Sequence, residues 1–392
     1  MISNATNEKK IGAALKLVQD DIRYMGFEMG ENSHKPRDPS KVFAQRFGDC
    51  KEKSYLLCTM LKAMRIDAQP VLINTSYKDA VRNWLPASTN FDHCVVHISD
   101  NNASYWFDPT IAYQRGSIKD IYFPNYKAGL VLTDTTTALT MIPFKNTSGV
   151  EVKNVFSVKE MYGSGKLKVT TINKGTFADE ARGDFKNNST SELLKNYKNF
   201  YASSYEDIIG DSLNFIDDEN TGSFTTIEYY TIPSFWEVTK TNVKKFNLHS
   251  FVIESILKRP KDKQRKMPFI LNFPAKYSEV TQVSLPTDWT VNEFEEHLKN
   301  SSFEYNAKFY CRFSSVYLES NYTNLKDYVD ANESAAYFKD IKTYDERSDV
   351  EITEGLDIVT SNDATTSGTN VLLSFLVILG VVIGFIVWSQ RR

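Results

Sequence analysis

Three side chains in the first third of this 392-residue sequence could act together on a carbonyl group: Cys50, His93 and Asp108. A cysteine attacks as the thiolate, so it needs a base that takes its proton, and the base needs a third group that orients its ring. Nucleophile, imidazole and carboxylate follow one another in that order along the chain. The chemistry open to such a set is acyl transfer through a thioester.

Cys50 is predicted to be the first residue of a helix. Asp49 precedes it as an N-cap residue, and Glu52 follows three residues after that cap, which is the pattern of a capping box. The free N–H groups and the positive dipole end of a helix N-terminus stabilise a thiolate. Because Leu57 and Leu61 share the helix face of Cys50, we expect the sulfur to point towards the sheet on which this helix packs.

His93 and Asp108 are predicted to lie on neighbouring strands. The sequence predicts strands at 92–98 and 103–108, joined by the polar turn 99–102. An antiparallel hairpin of this size can bring both side chains to one face, next to the helix that carries the cysteine.

The residues around these three positions resemble the motifs of the bacterial transglutaminase-like superfamily. The similar stretches are RFGDCKEK at 46–53, FDH at 91–93 and YWFDPT at 105–110, with weaker similarity at 24–28 and 36–43. The family's motifs usually run GDCxDK, a histidine at a strand start, and WxDPT. This sequence departs from them at Glu52, where aspartate is frequent, and that position lies outside the candidate triad. The good match covers residues 8–135.

The resemblance implies a papain-like Cys–His–Asp triad in an α+β fold. Cys50 would attack a carboxamide or peptide carbonyl, His93 would act first as base and then as acid, and Asp108 would orient His93. Water or an amine would complete the turnover, so hydrolysis and transamidation both stay open. Besides the backbone N–H of Cys50, Gln45 is a candidate donor to the oxyanion.

No cofactor and no metal site is predicted. The sequence has no CxxC pair, and its cysteine spacings fit neither a zinc ribbon nor a dense disulfide framework. Cys58, Cys94 and Cys311 are interpreted as inert. A metal site built from Cys50, His93 and His97 would lack a fourth ligand at suitable spacing.

Besides the unit that contains the three candidate residues, the chain has three further parts. Residues 1–135 form the α+β, transglutaminase-like unit, with a first amphipathic helix at 8–24. Alternating apolar residues predict a β-rich, sandwich-like region over 136–352, interrupted by helices at 189–201 and 333–343. Residues 353–370 are rich in Ser, Thr, Asp and Gly and are predicted to be a flexible linker.

Residues 371–388 are predicted to form one transmembrane helix. This stretch carries no charge, and its 18 residues span about 27 Å as a helix, close to the roughly 30 Å of a bilayer core. Gly380 and Gly384 form a GxxxG pattern, a weak signal for a helix-mediated dimer. The terminal pair Arg391 and Arg392 favours a cytoplasmic C-terminus.

That orientation places the main body in the periplasm or another extracytoplasmic space. The sequence starts without an apolar export signal and without the β-sandwich that often precedes such domains, so we expect an N-terminally truncated fragment. The alternative is a tail-anchored protein whose body is cytoplasmic.

These features support two hypotheses. The first is a membrane-anchored, thiol-dependent hydrolase or acyltransferase that acts on peptide or amide bonds of a peptide or protein substrate. The alternative is a non-catalytic module with a transglutaminase fold that docks a cell-envelope partner, which the large share of the chain outside the first unit favours. A net charge of −3 gives no support to nucleic-acid binding.

Overall fold

The computed structural model describes residues 5–26, 34–100, 103–260 and 265–353. In the first part of the chain, helices come before an antiparallel sheet, as the sequence predicts. Its elements are α1 (Asn7–Asp21), β1 (Arg23–Tyr24), α2 (Pro39–Gln45), β2 (Phe47–Gly48), α3 (Cys50–Ala63), β3 (Asp67–Ile73), β4 (His93–Asp100), β5 (Ala103–Phe107), β6 (Ala128–Val131) and β7 (Thr140–Met141). Two short 3₁₀ helices, Lys78–Asn83 and Ser88–Asn90, lie between β3 and β4.

The first sheet has the strand order β5-β4-β3-β6-β7, and every neighbouring pair is antiparallel. Helix α3 packs on β3 and β4 and also contacts α1. The core between α3 and the sheet contains the apolar stripe predicted for this helix. Leu57 and Leu61 are fully buried there beside Val96 and Ile98. The sheet continues to Met141, beyond residue 135 where the sequence places the end of the first unit.

The second part of the chain is dominated by one large sheet. Its elements are β8 (Gly149–Val158), β9 (Gly165–Lys174), α4 (Thr176–Asn187), α5 (Thr190–Tyr201), β10 (Ile209–Asp217), β11 (Phe224–Ile232), β12 (Glu237–Val238), β13 (Lys244–Leu248), α6 (Phe251–Ile256), β14 (Phe269–Ile270), β15 (Lys276–Ser284), β16 (Phe294–Lys299), β17 (Phe303–Arg312), β18 (Ser315–Asn324), β19 (Tyr328–Val329), α7 (Ser334–Arg347) and β20 (Val350–Thr353).

Eight strands form this sheet in the order β10-β11-β9-β8-β15-β18-β17-β16, with β8 and β15 parallel and the other neighbours antiparallel. The region is therefore β-rich, but the described strands do not form the two matched sheets of a sandwich, and that part of the prediction is wrong. Helices α4 to α7 and the small sheet β12-β13-β20 pack against the large sheet instead. Alternation of apolar residues indicates that one sheet face is buried, but it does not specify which element covers that face.

The two parts of the chain meet at a close backbone contact. Gly116 and Gly222 both have positive φ, +97° and +77°, and a Cβ on Gly222 would lie 2.5 Å from the carbonyl oxygen of Arg115. Glycine is needed here because it has no Cβ to clash with the opposite chain. The backbone N–H of Gly116 donates to the carbonyl of Glu219 (3.1 Å) across the same contact.

Within the described ranges, no helix combines the length and the apolar character needed to cross a bilayer. The predicted transmembrane helix at 371–388, and the predicted linker from residue 354 onwards, lie outside the residues that the structure describes.

Two phenylalanines near the end of β17 test the core of the large sheet. Phe309 is fully buried, whereas Phe313, in the turn that follows, is 83% exposed. We expect Phe309→Ala to lower the free energy of unfolding by about 3–5 kcal/mol through lost burial and a residual cavity. Phe313→Ala is the matched control and should change it by less than about 0.5 kcal/mol. Urea unfolding followed by tryptophan fluorescence measures both, and equal losses would contradict the assigned core.

Candidate active site

Cys50 is the first residue of α3, as the sequence predicts. The N-terminus of this helix is capped by two reciprocal hydrogen bonds between Asp49 and Glu52. The Asp49 carboxylate accepts a hydrogen bond from the Glu52 backbone N–H (3.0 Å), and the Glu52 carboxylate accepts one from the Asp49 N–H (2.9 Å). Arg37 forms an ion pair with Glu52, including a bond from Nη2 to Oε2 at 3.0 Å. These contacts fix the turn that presents Cys50.

His93 is the first residue of β4, and Asp108 directly follows β5. In the ladder between these strands Val96 faces Phe107, so His93 and Asp108 are two positions out of direct register. Such diagonal neighbours are still within reach of an imidazole. His93 Nε2 lies 2.8 Å from Asp108 Oδ2.

The side chain of Cys50 also acts on the His93 ring, because a hydrogen bond with Cys50 and its charge are among the causes that raise the pKa of His93. Because Asp108 occupies Nε2, Nδ1 is the ring nitrogen left for the sulfur. The structure thus brings together the three side chains that the sequence singles out, in the order cysteine, imidazole and carboxylate. Cys50 is 3% exposed and Asp108 is 2% exposed, so both contacts are well removed from bulk water.

The electrostatics of the site favour a protonated His93. Burial alone would lower the pKa of His93, but the charge of Asp108 and the hydrogen bonds with Asp108 and Cys50 raise it to about 10. Burial acts to raise the pKa of Asp108, and the charge of His93 together with hydrogen bonds from His93 and Thr110 outweighs it, so that this pKa is lowered. The ion pair therefore stabilises the fold at intermediate pH. Its contribution is lost as pH rises through about 10, and also in acid as Asp108 becomes protonated.

The comparison with known families now bears on this geometry. Residues 2–109 match the model of the transglutaminase-like superfamily, a segment that contains Cys50, His93 and Asp108. The chain contains a transglutaminase-like domain. The resemblance predicted from the sequence motifs is thereby confirmed for residues 2–109.

The fold is also similar to the crystal structure of a putative protease from Parabacteroides distasonis. The TM-score is 0.50 and the sequence identity 10%, over 90% of this chain and 53% of that chain. This chain therefore spans about half the length of that structure, and at such low identity the likeness concerns the fold alone. No curated protein matches the sequence.

Asp108 of the transglutaminase-like domain has partners that the sequence analysis did not identify. The Tyr126 hydroxyl donates to Asp108 Oδ2 (2.9 Å), and the backbone N–H and hydroxyl of Thr110 donate to Oδ1 at 2.9 and 2.6 Å. Four hydrogen bonds, including the one from His93, thus hold one buried carboxylate in place. Thr110 belongs to the WFDPT motif and could have been anticipated, whereas nothing in the local sequence marks Tyr126.

A buried chain of hydrogen bonds extends from Asp108 to the second part of the protein. Gln19 Nε2 donates to the carbonyl oxygen of Asp108 (3.0 Å) and to Gln114 Oε1 (2.7 Å). Gln114 Nε2 donates to Asp179 Oδ2 (3.2 Å), and Arg182 Nη1 donates to Asp179 Oδ1 (3.2 Å). All five residues are less than 10% exposed. The backbone that carries Asp108 is therefore tied to helix α4 of the second part.

Lys53 contributes a second buried charge near the triad. Its ammonium donates to the carbonyl oxygens of Gln19 and Ile22, at the end of α1. Burial lowers the pKa of Lys53 to about 8, against the opposing charges of Asp108 and Asp20. Lys53 therefore joins α3 to α1, and its positive charge interacts with the negative charge of Asp108.

The loop between β3 and β4 is closed at its base next to His93. Asp92 accepts hydrogen bonds from the backbone N–H (2.8 Å) and hydroxyl (3.0 Å) of Thr75. Asn74 Nδ2 donates to the carbonyl oxygen of Asn90 (2.8 Å). These contacts hold the two ends of the loop together next to His93.

Two secondary candidates take other roles. Gln45 Nε2 donates to the carbonyl oxygen of Phe47 (2.8 Å), so its amide is already engaged in the turn before Cys50. His97 Nε2 lies 2.9 Å from Ser104 Oγ, and its ring packs at 4.3 Å from that of Trp106. The described structure does not bring His97 together with Cys50 and His93 as a metal-ligand set.

The charge of Asp108 can be tested through the titration of His93. We expect Asp108→Asn to lower the pKa of His93 from about 10, because the amide keeps the shape but removes the negative charge. NMR titration of the imidazole ring protons measures the change. His97 serves as an internal control and should titrate as before in the variant. An unchanged pKa of His93 would contradict the ion pair.

Proposed function

We propose that this protein is a thiol-dependent hydrolase or acyltransferase that acts on peptide or amide bonds. The observation that carries the proposal is the position of the His93 ring, whose Nε2 lies 2.8 Å from Asp108 Oδ2 while Cys50 is among the groups that raise the pKa of His93. A structural histidine needs only one such partner. An imidazole held between a thiol at a helix N-terminus and a buried carboxylate can move a proton in both directions.

The proposed reaction begins with the Cys50 thiolate and the His93 imidazolium. The sulfur forms a bond to the carbonyl carbon of the substrate, and the carbonyl oxygen takes up the negative charge near the backbone N–H of Cys50. When this intermediate collapses, the C–N bond breaks and His93 gives its proton to the departing amine. A thioester of Cys50 remains.

The second half of the reaction releases the acyl group. A water molecule or an amine attacks the thioester carbon and gives a proton to His93. The bond between sulfur and carbon then breaks, which yields a carboxylic acid or a new amide and restores the thiolate. Throughout, Asp108 keeps Nε2 engaged, so that Nδ1 alone exchanges protons with the reacting atoms.

The substrate class and location belong to the same proposal. A peptide or protein substrate is supported by the family and by the description of the structurally similar Parabacteroides distasonis protein as a putative protease. Attachment to a membrane through 371–388, with an extracytoplasmic body, is supported by the apolar sequence there and by the terminal arginines. A dimer formed through Gly380 and Gly384 has only the GxxxG pattern in its favour.

Selective alkylation tests the reactive state of Cys50. Cys50 and Cys94 are equally buried at 3% exposure and Cys58 is 1% exposed, so exposure alone does not distinguish them. Burial raises the pKa of Cys58 to about 12 and also raises that of Cys94. We expect brief treatment with iodoacetamide at neutral pH to label Cys50 first, as read by peptide mass spectrometry.

Two variants sharpen the alkylation experiment. His93→Gln should slow labelling of Cys50 because the imidazolium is lost, while labelling of the partly exposed Cys311 serves as the reference within the same sample. Resistance of Cys50 in the unaltered chain, at a time when Cys311 is fully labelled, would speak against a catalytic thiolate.

Activity itself can be measured on a library of amide-blocked peptides, with and without hydroxylamine as an acyl acceptor. We expect turnover that falls by about 10³-fold or more in Cys50→Ala. Formation of hydroxamate in place of free acid would reveal acyl transfer. Cys58→Ala is the matched control and should retain turnover.

The non-catalytic alternative predicts a different pattern. If Cys50 is not labelled and no peptide is turned over, while Cys50→Ala leaves every cellular phenotype unchanged, the chain is better described as a binding module with a transglutaminase fold.

A further inference from the structure

Three potential metal ligands meet in the second part of the chain, at the side of the small sheet β12-β13-β20. His249 follows β13, Asp349 precedes β20, and Glu254 lies on the short helix α6. One ligand atom from each side chain lies within 4.8 Å of the other two. None of these residues belongs to the candidate active site, and the proposed reaction uses none of them.

The backbone holds these three positions firmly. Leu248 and Val350 are partners in the antiparallel ladder between β13 and β20, so His249 and Asp349 continue that pairing by one position. Helix α6 is fixed by Glu279, whose buried carboxylate accepts hydrogen bonds from the backbone N–H groups of Val252 (3.0 Å) and Ile253 (3.1 Å). The ladder and the Glu279 contacts therefore position the backbone next to all three residues, while the side chain of Asp349 itself is exposed.

The carboxylate of Glu254 has no hydrogen-bond donor among the residues that the structure describes. The nearest arginine, Arg259, donates instead to the backbone carbonyl of Glu254 (3.1 Å) and to the carboxylate of Asp345 (2.7 Å). Two carboxylates and an imidazole that lie this close together are groups of the kind that bind a divalent cation.

His249 is the residue that gives the group its selectivity. Its Nδ1 lies 2.8 Å from Asp349 Oδ1, so this nitrogen already faces one of the two carboxylates. Imidazole nitrogen is a good ligand for Zn²⁺ and related ions, whereas Mg²⁺ and Ca²⁺ prefer oxygen ligands alone. One histidine and two carboxylates leave a fourth position for water in a tetrahedral site.

We propose that His249, Glu254 and Asp349 bind a divalent transition-metal ion of the Zn²⁺ type. Bond lengths of about 2.0–2.2 Å would bring the ligand atoms to roughly 3.3–3.5 Å from one another, so side-chain rotations that move them by about 1 Å complete the site. The bound ion would join β13, α6 and β20, the last strand before the predicted linker. It would thereby stabilise the end of the body that is nearest in sequence to the predicted membrane helix.

Zinc titration of the detergent-solubilised full chain tests this proposal, with a competing chelator dye as the readout. Because a thiolate can also bind zinc, the parent for the comparison is Cys50→Ala, in which the active-site sulfur is absent. We expect one zinc ion per chain in this parent, and an affinity weaker by about 100-fold in His249→Ala and by about tenfold or more in Glu254→Gln.

His297→Ala is the matched control, because His297 lies on the exposed face of β16 with Asn306 as its partner. Its zinc affinity should equal that of the parent. To separate lost ligands from misfolding, thermal unfolding is measured with chelator and with zinc. Parent and His249→Ala should unfold at similar temperatures with chelator, and zinc should raise only the parent's unfolding temperature.

Two outcomes would overturn the proposal. One is zinc binding that disappears in Cys50→Ala, which would assign the ion to the active-site cysteine. The other is equal zinc affinity in the parent and in His249→Ala. In either case His249 and Asp349 form a salt-bridged pair near Glu254, with no metal site. Both readouts are independent of enzymatic turnover.

Discussion

The hydrogen bond between His93 and Asp108 is the contact on which the arrangement of the site depends. A buried carboxylate is unfavourable unless several donors surround it, and Asp108 has donors from His93, Tyr126 and Thr110. These donors in turn fix its position, so the imidazole has one orientation in which Nε2 is occupied. Nδ1 is then the ring nitrogen left for a second partner. The need to satisfy one buried charge thus determines which atom of His93 can serve Cys50.

At the Cys50 side of the site, unpaired polar groups must likewise be satisfied. A helix end leaves several N–H groups unpaired, and in α3 the capping box of Asp49 and Glu52 satisfies part of them. Arg37 neutralises Glu52 and holds the capping box from outside. Cys50 is consequently presented by a rigid turn, which is what the proposed nucleophilic role requires if the sulfur is to stay within reach of one imidazole.

The second part of the chain contacts and supports the candidate active site. Through Gln19, Gln114, Asp179 and Arg182 it contacts the backbone at Asp108, and through Gly116 and Gly222 the two parts approach closely. Arg182 also donates to the carbonyl oxygen of Gly222 (2.7 Å), so the same arginine supports both contacts. The large sheet therefore provides a base for the loop that follows Asp108. The proposed metal site lies in the same part of the chain but on separate elements, β13, α6 and β20, so it concerns the stability of that part and not the chemistry of the triad.

Local sequence determined much of this protein. The capped start of α3, the stripe of Leu57 and Leu61, and the strands that carry His93 and Asp108 follow from short-range patterns, because caps and side-chain periodicity are local properties of the chain. Only the tertiary structure decided that Tyr126 and Gln19 support Asp108 and that helices, with a small sheet, cover the large one. It also decided that His249 meets Asp349, a hundred residues away. These contacts join residues far apart in sequence, and their formation depends on how whole elements pack, which no local pattern specifies.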